Sequence, residues 1–182
     1  MDAINPNNRT NDFVQLQAAS KEDAPHTPPP RMLVLVGIPG SGKSTFAKQL
    51  CELGWARISQ DDLGTRRKCE VLTVEHLCTG TNVVIDRCNF DKAQRKRWVD
   101  YASARGSACG VIVFATSLQD CLQRVRNRRG HPTLEGDQSV GVIKRVAESF
   151  EFPDRTEGFA FCRVIRSETD ATRVLSELLS AP

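Results

Sequence analysis

No stretch of this 182-residue chain approaches the roughly 20 consecutive apolar residues that a membrane-spanning helix needs, so no membrane partner is expected. The first residues lack the basic-then-apolar pattern of a secretory signal. No C-x-x-C pair occurs, and the seven cysteines (Cys51, Cys69, Cys78, Cys88, Cys109, Cys121 and Cys162) are odd in number and scattered. That spacing argues against a structural zinc site and a disulfide framework, and for a reducing compartment. The expectation is an intracellular protein of the nucleus and/or cytoplasm, not a secreted one, with its cysteines serving as small buried apolar residues. There is no internal repeat and no large charge imbalance: 25 Lys and Arg face 22 Asp and Glu, a net charge of +3. What remains is an ordinary globular composition, long enough for one domain with a substantial core.

The distribution of charge is more informative than its sum. Arg66, Arg67 and Lys68 form one basic cluster, Lys92, Arg95, Lys96 and Arg97 a second, and Arg124, Arg126, Arg128 and Arg129 a third. The balancing acids lie mostly elsewhere in the sequence. Such clusters either contact phosphates, on a nucleotide or a nucleic acid, or form solvated faces. Residues 1–30 are rich in Asn, Asp, Ser, Thr and Pro and end in Pro28-Pro29-Pro30. They hold too few large apolar groups to offset the entropy of ordering, so a disordered tail is expected, with a short helical turn near Phe13–Leu16 and a stiff proline lead-in.

Residues Gly37 to Ser44 read G-I-P-G-S-G-K-S, the full phosphate-binding pattern G-x-x-x-x-G-K-[ST]. Before it runs Met32-Leu33-Val34-Leu35-Val36, an apolar stretch that reads as a buried parallel strand; after it come Thr45 to Leu50, a helix-forming run. Gly37, Gly40 and Gly42 let successive backbone N–H groups face a phosphate chain, with Pro39 and Ser41 between them. The following helix presents its positive end to the same chain. Lys43 is spaced to reach the β- and γ-phosphates and the Ser44 hydroxyl to ligate Mg²⁺. The alternative is an ordinary strand-turn-helix corner.

Downstream, strands are expected at Trp55–Ser59, Asn82–Asp86, Ala108–Ala115 and Cys162–Ile165. Helices are expected from Thr65 to Thr79 with an interruption (Val71, Val74, Leu77 and Cys78 at helical spacing), from Asp91 as N-cap to Arg105 with Gly106 as stop, from Leu118 to a stop at Gly130–Thr133, around Val142–Phe150, and from Asp170 to Leu179. Five apolar strands alternating with helices predict an α/β domain over 31–182, a parallel sheet covered on both faces. Right-handed crossovers put every strand's carboxyl end on one rim. The glycine loop, Asp61 and Asp86 are therefore predicted to meet there.

At such a rim a kinase needs a carboxylate to deprotonate the attacking hydroxyl and cations to neutralise the transferring phosphoryl group. Asp61 and Asp62 are candidates for the first, and both are also candidate helix N-caps. Asp86 reads as a second strand-end carboxylate, or as a turn cap. The Arg124–Arg129 cluster sits where a lid would cross the phosphates, and each of its arginines has a surface-cation alternative. His131 reads as a turn residue before Pro132.

Several segments together resemble the 5′-hydroxyl polynucleotide kinase domain of the P-loop kinase superfamily, as found in polynucleotide kinase-phosphatases and in kinase domains fused to aprataxin-like modules. They are G-I-P-G-S-G-K-S-T-F (37–46), S-Q-D-D-L-G (59–64), V-V-I-D-R-C-N-F-D (83–91), the R-N-R-R-G lid region (126–130) and F-E-F-P-D-R-T-E-G-F (150–159). The resemblance implies a P-loop fold with an Arg-rich lid, ATP and Mg²⁺ as cofactors, and a nucleic acid with a 5′-OH end, DNA or RNA, as partner. It implies a phosphate-binding role for Lys43, a nucleotide-binding place for Thr45, a Mg²⁺-side role for Ser44, and a general-base role for Asp61. Asp86 would lie near the phosphoacceptor, with Arg87, which replaces an Asn of some relatives, and Arg95 beside it. Arg129 would be the lid arginine on the ATP phosphates, with Arg124 and Arg126 competing for that role. Gly64 stands where the phage-type enzyme carries an Arg. No D-x-D-G-T phosphatase motif is present, so the expectation is a kinase domain standing alone, working beside other end-processing or ligase proteins. A small-molecule kinase acting on a sugar, nucleoside or small acid, and a non-catalytic ATP-binding module, are the alternative readings.

Overall fold

Met32–Val36 forms β1 with all five residues buried, as an apolar strand covered on both faces requires. The computed structural model describes residues 31–127 and 138–180. The expected tail over 1–30, Arg128, Arg129 and the expected helix stop at Gly130–Thr133 lie outside the described residues. After β1 come α1 (Lys43–Glu52), β2 (Ala56–Ser59), α2 (Gln60–Leu63), α3 (Arg66–Cys78), β3 (Val83–Asp86) and α4 (Lys92–Ser103). They are followed by β4 (Cys109–Phe114), α5 (Leu118–Arg126), α6 (Gln138–Glu148), a 3₁₀ turn (Arg155–Glu157), β5 (Phe161–Ile165) and α7 (Glu168–Ser180).

The five strands pair in the order β2-β3-β1-β4-β5, and every pairing is parallel. This is the fold of P-loop kinases, and β1 lies at its centre between β3 and β4. Alternate residues of the strands supply two cores. Met32, Val34, Val36, Ile85 and Val111 pack on one face with Trp98 and Ala102 of α4 and Leu77 of α3. Leu33, Leu35, Val84 and Ile112 pack on the other with Phe46 and Leu50 of α1 and Val174 and Leu178 of α7. A third cluster, Ile38, Cys121, Val125 and Ile143, fixes α5 and α6 against the loop after β1.

The expected helical stretch after β2 is two helices. Gly64, at φ 78°, ends α2 in a conformation that side chains disfavour, and Thr65 restarts the chain by accepting a hydrogen bond from the Lys68 N–H at 3.3 Å. The buried face of α3 is Cys69, Thr73 and Leu77; of the predicted Val71, Val74, Leu77 and Cys78, Leu77 alone is buried. Thr73 is accommodated there because its hydroxyl donates to the Cys69 carbonyl at 2.7 Å; Val71 and Cys78 are exposed. The cysteine expectation also needs correcting. Cys69, Cys109 and Cys121 are buried, but Cys51, Cys78 and Cys162 are exposed. Asp91 caps α4 as expected, accepting from the Gln94 N–H at 2.7 Å. Among the described residues, no helix is long and apolar enough to cross a membrane.

Candidate active site

The loop from Gly37 to Gly42 joins β1 to α1 at the carboxyl rim of the sheet. Gly42 precedes the helix at φ 105°. At Gly40, also left-handed at φ 87°, an added Cβ would lie 2.6 Å from the Cys121 carbonyl oxygen and 3.0 Å from Val125 Cγ2. The loop is thus pressed against α5, and only glycine permits that approach. The Thr116 hydroxyl, just beyond β4, donates to the Ser41 carbonyl at 3.0 Å and holds the loop from the other side. Gly37, Pro39, Gly40, Ser41 and Lys43 are buried, Ser44 is half-buried and Thr45 is exposed.

Lys43 turns its ammonium back into the loop, donating to the carbonyls of Gly37 at 2.8 Å and Ile38 at 2.9 Å and to Ser41 Oγ at 3.3 Å. A cleft of about 590 Å³ opens beside the loop. Gly40, Ser41, Gly42 and Thr45 line one side, Arg124 of α5 another, and Ile165, Ser167 and Ala171 the far wall. Loop amides, a cation and an apolar wall suit a nucleotide's phosphates and base respectively. Arg126 is not part of this cleft. It projects with Leu122 and Asn127 into a separate depression along α5, so only Arg124 of the two described lid candidates faces the loop. Arg129 lies outside the described residues.

On the opposite side of the loop, Asp86 ends β3 with its side chain 3 % exposed. Ser44 Oγ donates to Asp86 Oδ1 at 3.2 Å. Arg57 of β2 donates to Asp86 Oδ2 through Nε at 2.7 Å and also reaches Asp62 Oδ2 through Nη1 at 2.5 Å. Burial works to lower the Arg57 pKa, but the flanking Asp86 and Asp62 carboxylates outweigh it, and the net shift is upward. A chain of contacts therefore runs from Ser44 through Asp86 and Arg57 to Asp62. Asp61, beside Asp62 in the first turn of α2, is exposed at the same rim. Ser44 and Asp86 offer a hydroxyl and a carboxylate oxygen side by side, the hard donor set that suits Mg²⁺. No group of three or more His, Cys, Asp or Glu gathers as a metal cage among the described residues, and Mg²⁺ in phosphoryl-transfer sites is commonly held by one or two protein oxygens together with the phosphates.

Arg87, next to Asp86, is half-buried, with its guanidinium carbon 6.0 Å from the centre of the Trp98 ring. Burial pushes its pKa down. Arg95 does not stand where the sequence suggested. It is fully buried, donates through Nε and Nη2 to the two oxygens of Glu157, each at 2.7 Å, and through Nη1 to the carbonyls of Asn89 and Glu151. All three guanidinium nitrogens are engaged inside the protein, so Arg95 is a structural clamp and not an acceptor ligand. The rest of the second basic cluster is likewise matched to acids: Lys92 to Asp154, Lys96 to Asp100 and Arg97 to Glu70. The acids that sequence reading put elsewhere are brought in by the fold.

Three residues that the sequence reading did not single out matter here. Arg57 joins the carboxylates of β3 and α2. Glu157 answers Arg95. Asn89, buried and at φ 46°, donates to the Leu35 carbonyl at 2.8 Å and accepts from Trp98 Nε1 at 3.0 Å. Of the three, Asn89 carried a local signal, since Asn tolerates the left-handed region that a tight loop demands, and Glu157 lay within the 150–159 segment on which the family resemblance rests.

A family model described as an AAA domain (AAA_33) matches residues 32–73 and 65–153. The chain belongs to this family. Among curated proteins, this AAA domain is 31 % identical over 154 residues to "Transcription factor bHLH140" of Arabidopsis thaliana, covering 80 % of the chain and 17 % of the relative. It is 44 % identical over 72 residues to the "Bifunctional polynucleotide phosphatase/kinase" of Schizosaccharomyces pombe, covering 39 % of the chain and 18 % of the relative. The chain thus spans less than a fifth of either relative's length. Among solved structures, a fungal RNA kinase superposes with a TM-score of 0.65 at 16 % identity, over 82 % of this chain and 84 % of that one. At that identity the likeness is one of fold, that of a P-loop kinase.

Proposed function

We propose that this domain is an ATP-dependent kinase that transfers the γ-phosphate to the 5′-hydroxyl end of a nucleic acid. The observation that carries the reading is the unbroken line of contacts from the nucleotide loop to the acceptor carboxylates: Ser44 to Asp86, Asp86 to Arg57, Arg57 to Asp62, next to Asp61. The 44 % identity with a polynucleotide phosphatase/kinase over 72 residues supports nucleic acid as the acceptor.

In this mechanism the phosphates of ATP lie against the loop amides of Gly40 to Ser44. Lys43 exchanges its contacts with the Gly37 and Ile38 carbonyls for the β- and γ-phosphate oxygens. Arg124 neutralises charge on the γ-phosphoryl group, a role the family resemblance also gives to Arg129, which lies outside the described residues. Asp61 accepts the proton of the 5′-hydroxyl as its oxygen attacks the γ-phosphorus, and the bond from that phosphorus to the bridging oxygen of ADP breaks. Ser44, with Asp86 behind it, is the residue to hold Mg²⁺, which when bound offsets the negative charge of the β- and γ-phosphates. Asp86 also orients the acceptor from the β3 side.

Transfer of labelled phosphate from ATP to matched 5′-hydroxyl DNA and RNA oligonucleotides, with adenosine and gluconate as controls, tests this. Label at the oligonucleotide 5′ end is expected. Label in gluconate or adenosine alone would assign a small-molecule kinase, and ATP binding without transfer to any hydroxyl would assign a binding module.

A further inference from the structure

The carboxylate proposed to take the proton, Asp61, sits on a weakly secured element. α2 has four residues, too few for a helix to hold itself, and none of them is buried. Its N-cap, Ser59, makes no side-chain capping bond. Ser59 Oγ and Gln60 Oε1 are buried there with no hydrogen-bond partner, so the start of the turn is not fastened by its own side chains. At its end the Gly64 N–H donates to the Gln60 carbonyl at 2.8 Å, and nothing lies within 4 Å of where a Gly64 Cβ would stand. Leu63 rests partly buried on the core that α3 and α4 cover, and Asp62 is held by Arg57.

Arg57 is placed for this by the register of the sheet. Parallel pairing sets Arg57 beside Val84 and Ser59 beside Asp86. Alternate residues of a strand share a face, so Arg57 and Asp86 both lie on the face where Val84 meets Phe46 and Leu50 of α1. From there the guanidinium reaches along the rim. Its Nε and Nη2 stand 2.7 Å and 2.6 Å from Asp86 Oδ2, and its Nη1 stands 2.5 Å from Asp62 Oδ2. The other Asp86 oxygen, Oδ1, accepts from Ser44. One planar fork thus spans two carboxylates on separate elements, Asp86 buried and Asp62 56 % exposed. All three of its nitrogens are engaged by them, so its part is to hold rather than to bind.

We infer that Arg57 is a positioning residue for the transfer step: through Asp62 it fastens α2 to the end of β3, and so sets the distance from Asp61 to the phosphates held beside Ser44. The inference rests on the reading of Asp61 as proton acceptor and adds what keeps that carboxylate in reach. A near-attack geometry is sensitive to displacements of about 1 Å, and α2 without its tether has little else to resist them.

The test cuts the tether at each end without stranding a buried charge. Arg57→Lys leaves a cation for buried Asp86 but gives up the fork that also reaches Asp62. Asp62→Ala cuts the exposed end. Amide hydrogen exchange over residues 60–64 and steady-state transfer to a 5′-hydroxyl oligonucleotide are measured for wild type, both singles and the double, with melting temperature as the fold control. Each single is expected to speed exchange of the Gly64 amide by about three- to tenfold, the reach of one partly exposed charged hydrogen bond. Each should lower kcat by a similar factor, with the KM for ATP and for the acceptor held within about twofold. The double should be no worse than either single, because both changes cut one tether. Unchanged exchange in the singles overturns the inference, whatever the chain phosphorylates. A raised acceptor KM with kcat intact overturns it too, by making Arg57 a binding residue, and so do losses that multiply in the double. Wild type that labels only gluconate or adenosine overturns the polynucleotide reading, and the same kcat losses with that acceptor support the tether. Wild type that labels no hydroxyl overturns both.

Discussion

Arg95 and Glu157 meet as a two-pronged ion pair, with Nε to Oε2 and Nη2 to Oε1 both at 2.7 Å, between residues 62 positions apart in the chain. Their side chains are 0 % and 2 % exposed. The pair fastens the 3₁₀ turn to α4, and Glu157 also accepts from the Asp154 N–H at 3.0 Å as half of a capping box. Removing one partner strands the other's charge in the interior. Arg95→Ala or Glu157→Ala should each destabilise the fold by about 3–5 kcal/mol, whereas replacing both with apolar residues of similar volume should cost far less. Urea unfolding of the two singles and the double measures the difference; additive losses would show that the pair is not coupled.

Asp61 and Asp62 are adjacent but differently engaged. Asp62 serves Arg57, while Asp61 is the proposed proton acceptor. Asp61→Ala should lower kcat by roughly 10²- to 10⁴-fold, the usual reach of general-base catalysis. Asp62→Ala should lower it much less. Single-turnover transfer reads both, and equal losses would reassign the base.

Gly40 should not tolerate even a methyl group. The added Cβ would lie 2.6 Å from the Cys121 carbonyl oxygen, at a φ of 87° that alanine resists. Gly40→Ala should push the loop off α5 and weaken nucleotide binding at least tenfold, measured by titration with a fluorescent ATP analogue. Gly54→Ala, at φ 85° but with nothing within 4 Å of an added Cβ, is the control for backbone strain alone and should leave that affinity unchanged.

The cap at Asp154 gives a pH signature. Its carboxylate accepts from the Thr156 side chain, from Lys92 and from the Thr156 N–H, and its pKa is held down from 3.8 to about 2. A carboxylate with a depressed folded pKa stabilises the fold above the unfolded value and loses that contribution as pH falls through the folded one. The difference in stability between wild type and Asp154→Asn should therefore be constant above about pH 5 and shrink between pH 4 and 2. Thermal melts across that range check it, and a difference that persists undiminished at pH 2 would show that the charge of Asp154 is not what the cap contributes.

The sheet was legible because its signal is local. Five apolar runs bounded by turns define β1 to β5, and the glycine pattern fixes the loop that follows β1. The long-range polar contacts were not. Arg57 and Asp86 are 29 residues apart, and nothing in A-R-I-S marks one residue of β2 as an ion-pair hub. Arg95 read as one more cation in a basic run because its partner arrives from the other side of β4. Periodicity over α3 selected Val71 because it is apolar, yet Thr73 faces inward, its hydroxyl returned to the helix backbone. Apolar pattern reports burial only when buried polar groups cannot satisfy themselves locally.

The Gly37 N–H donates to the Cys88 carbonyl at 3.1 Å, and Asn89 ties the same segment to Leu35. The root of the nucleotide loop and the segment carrying Asp86 and Arg87 are thus stitched together across the β1–β3 seam. Donor and acceptor sides cannot drift apart without breaking these bonds. The gap that a phosphoryl group must cross is built in like the jaw spacing of a fixed gauge.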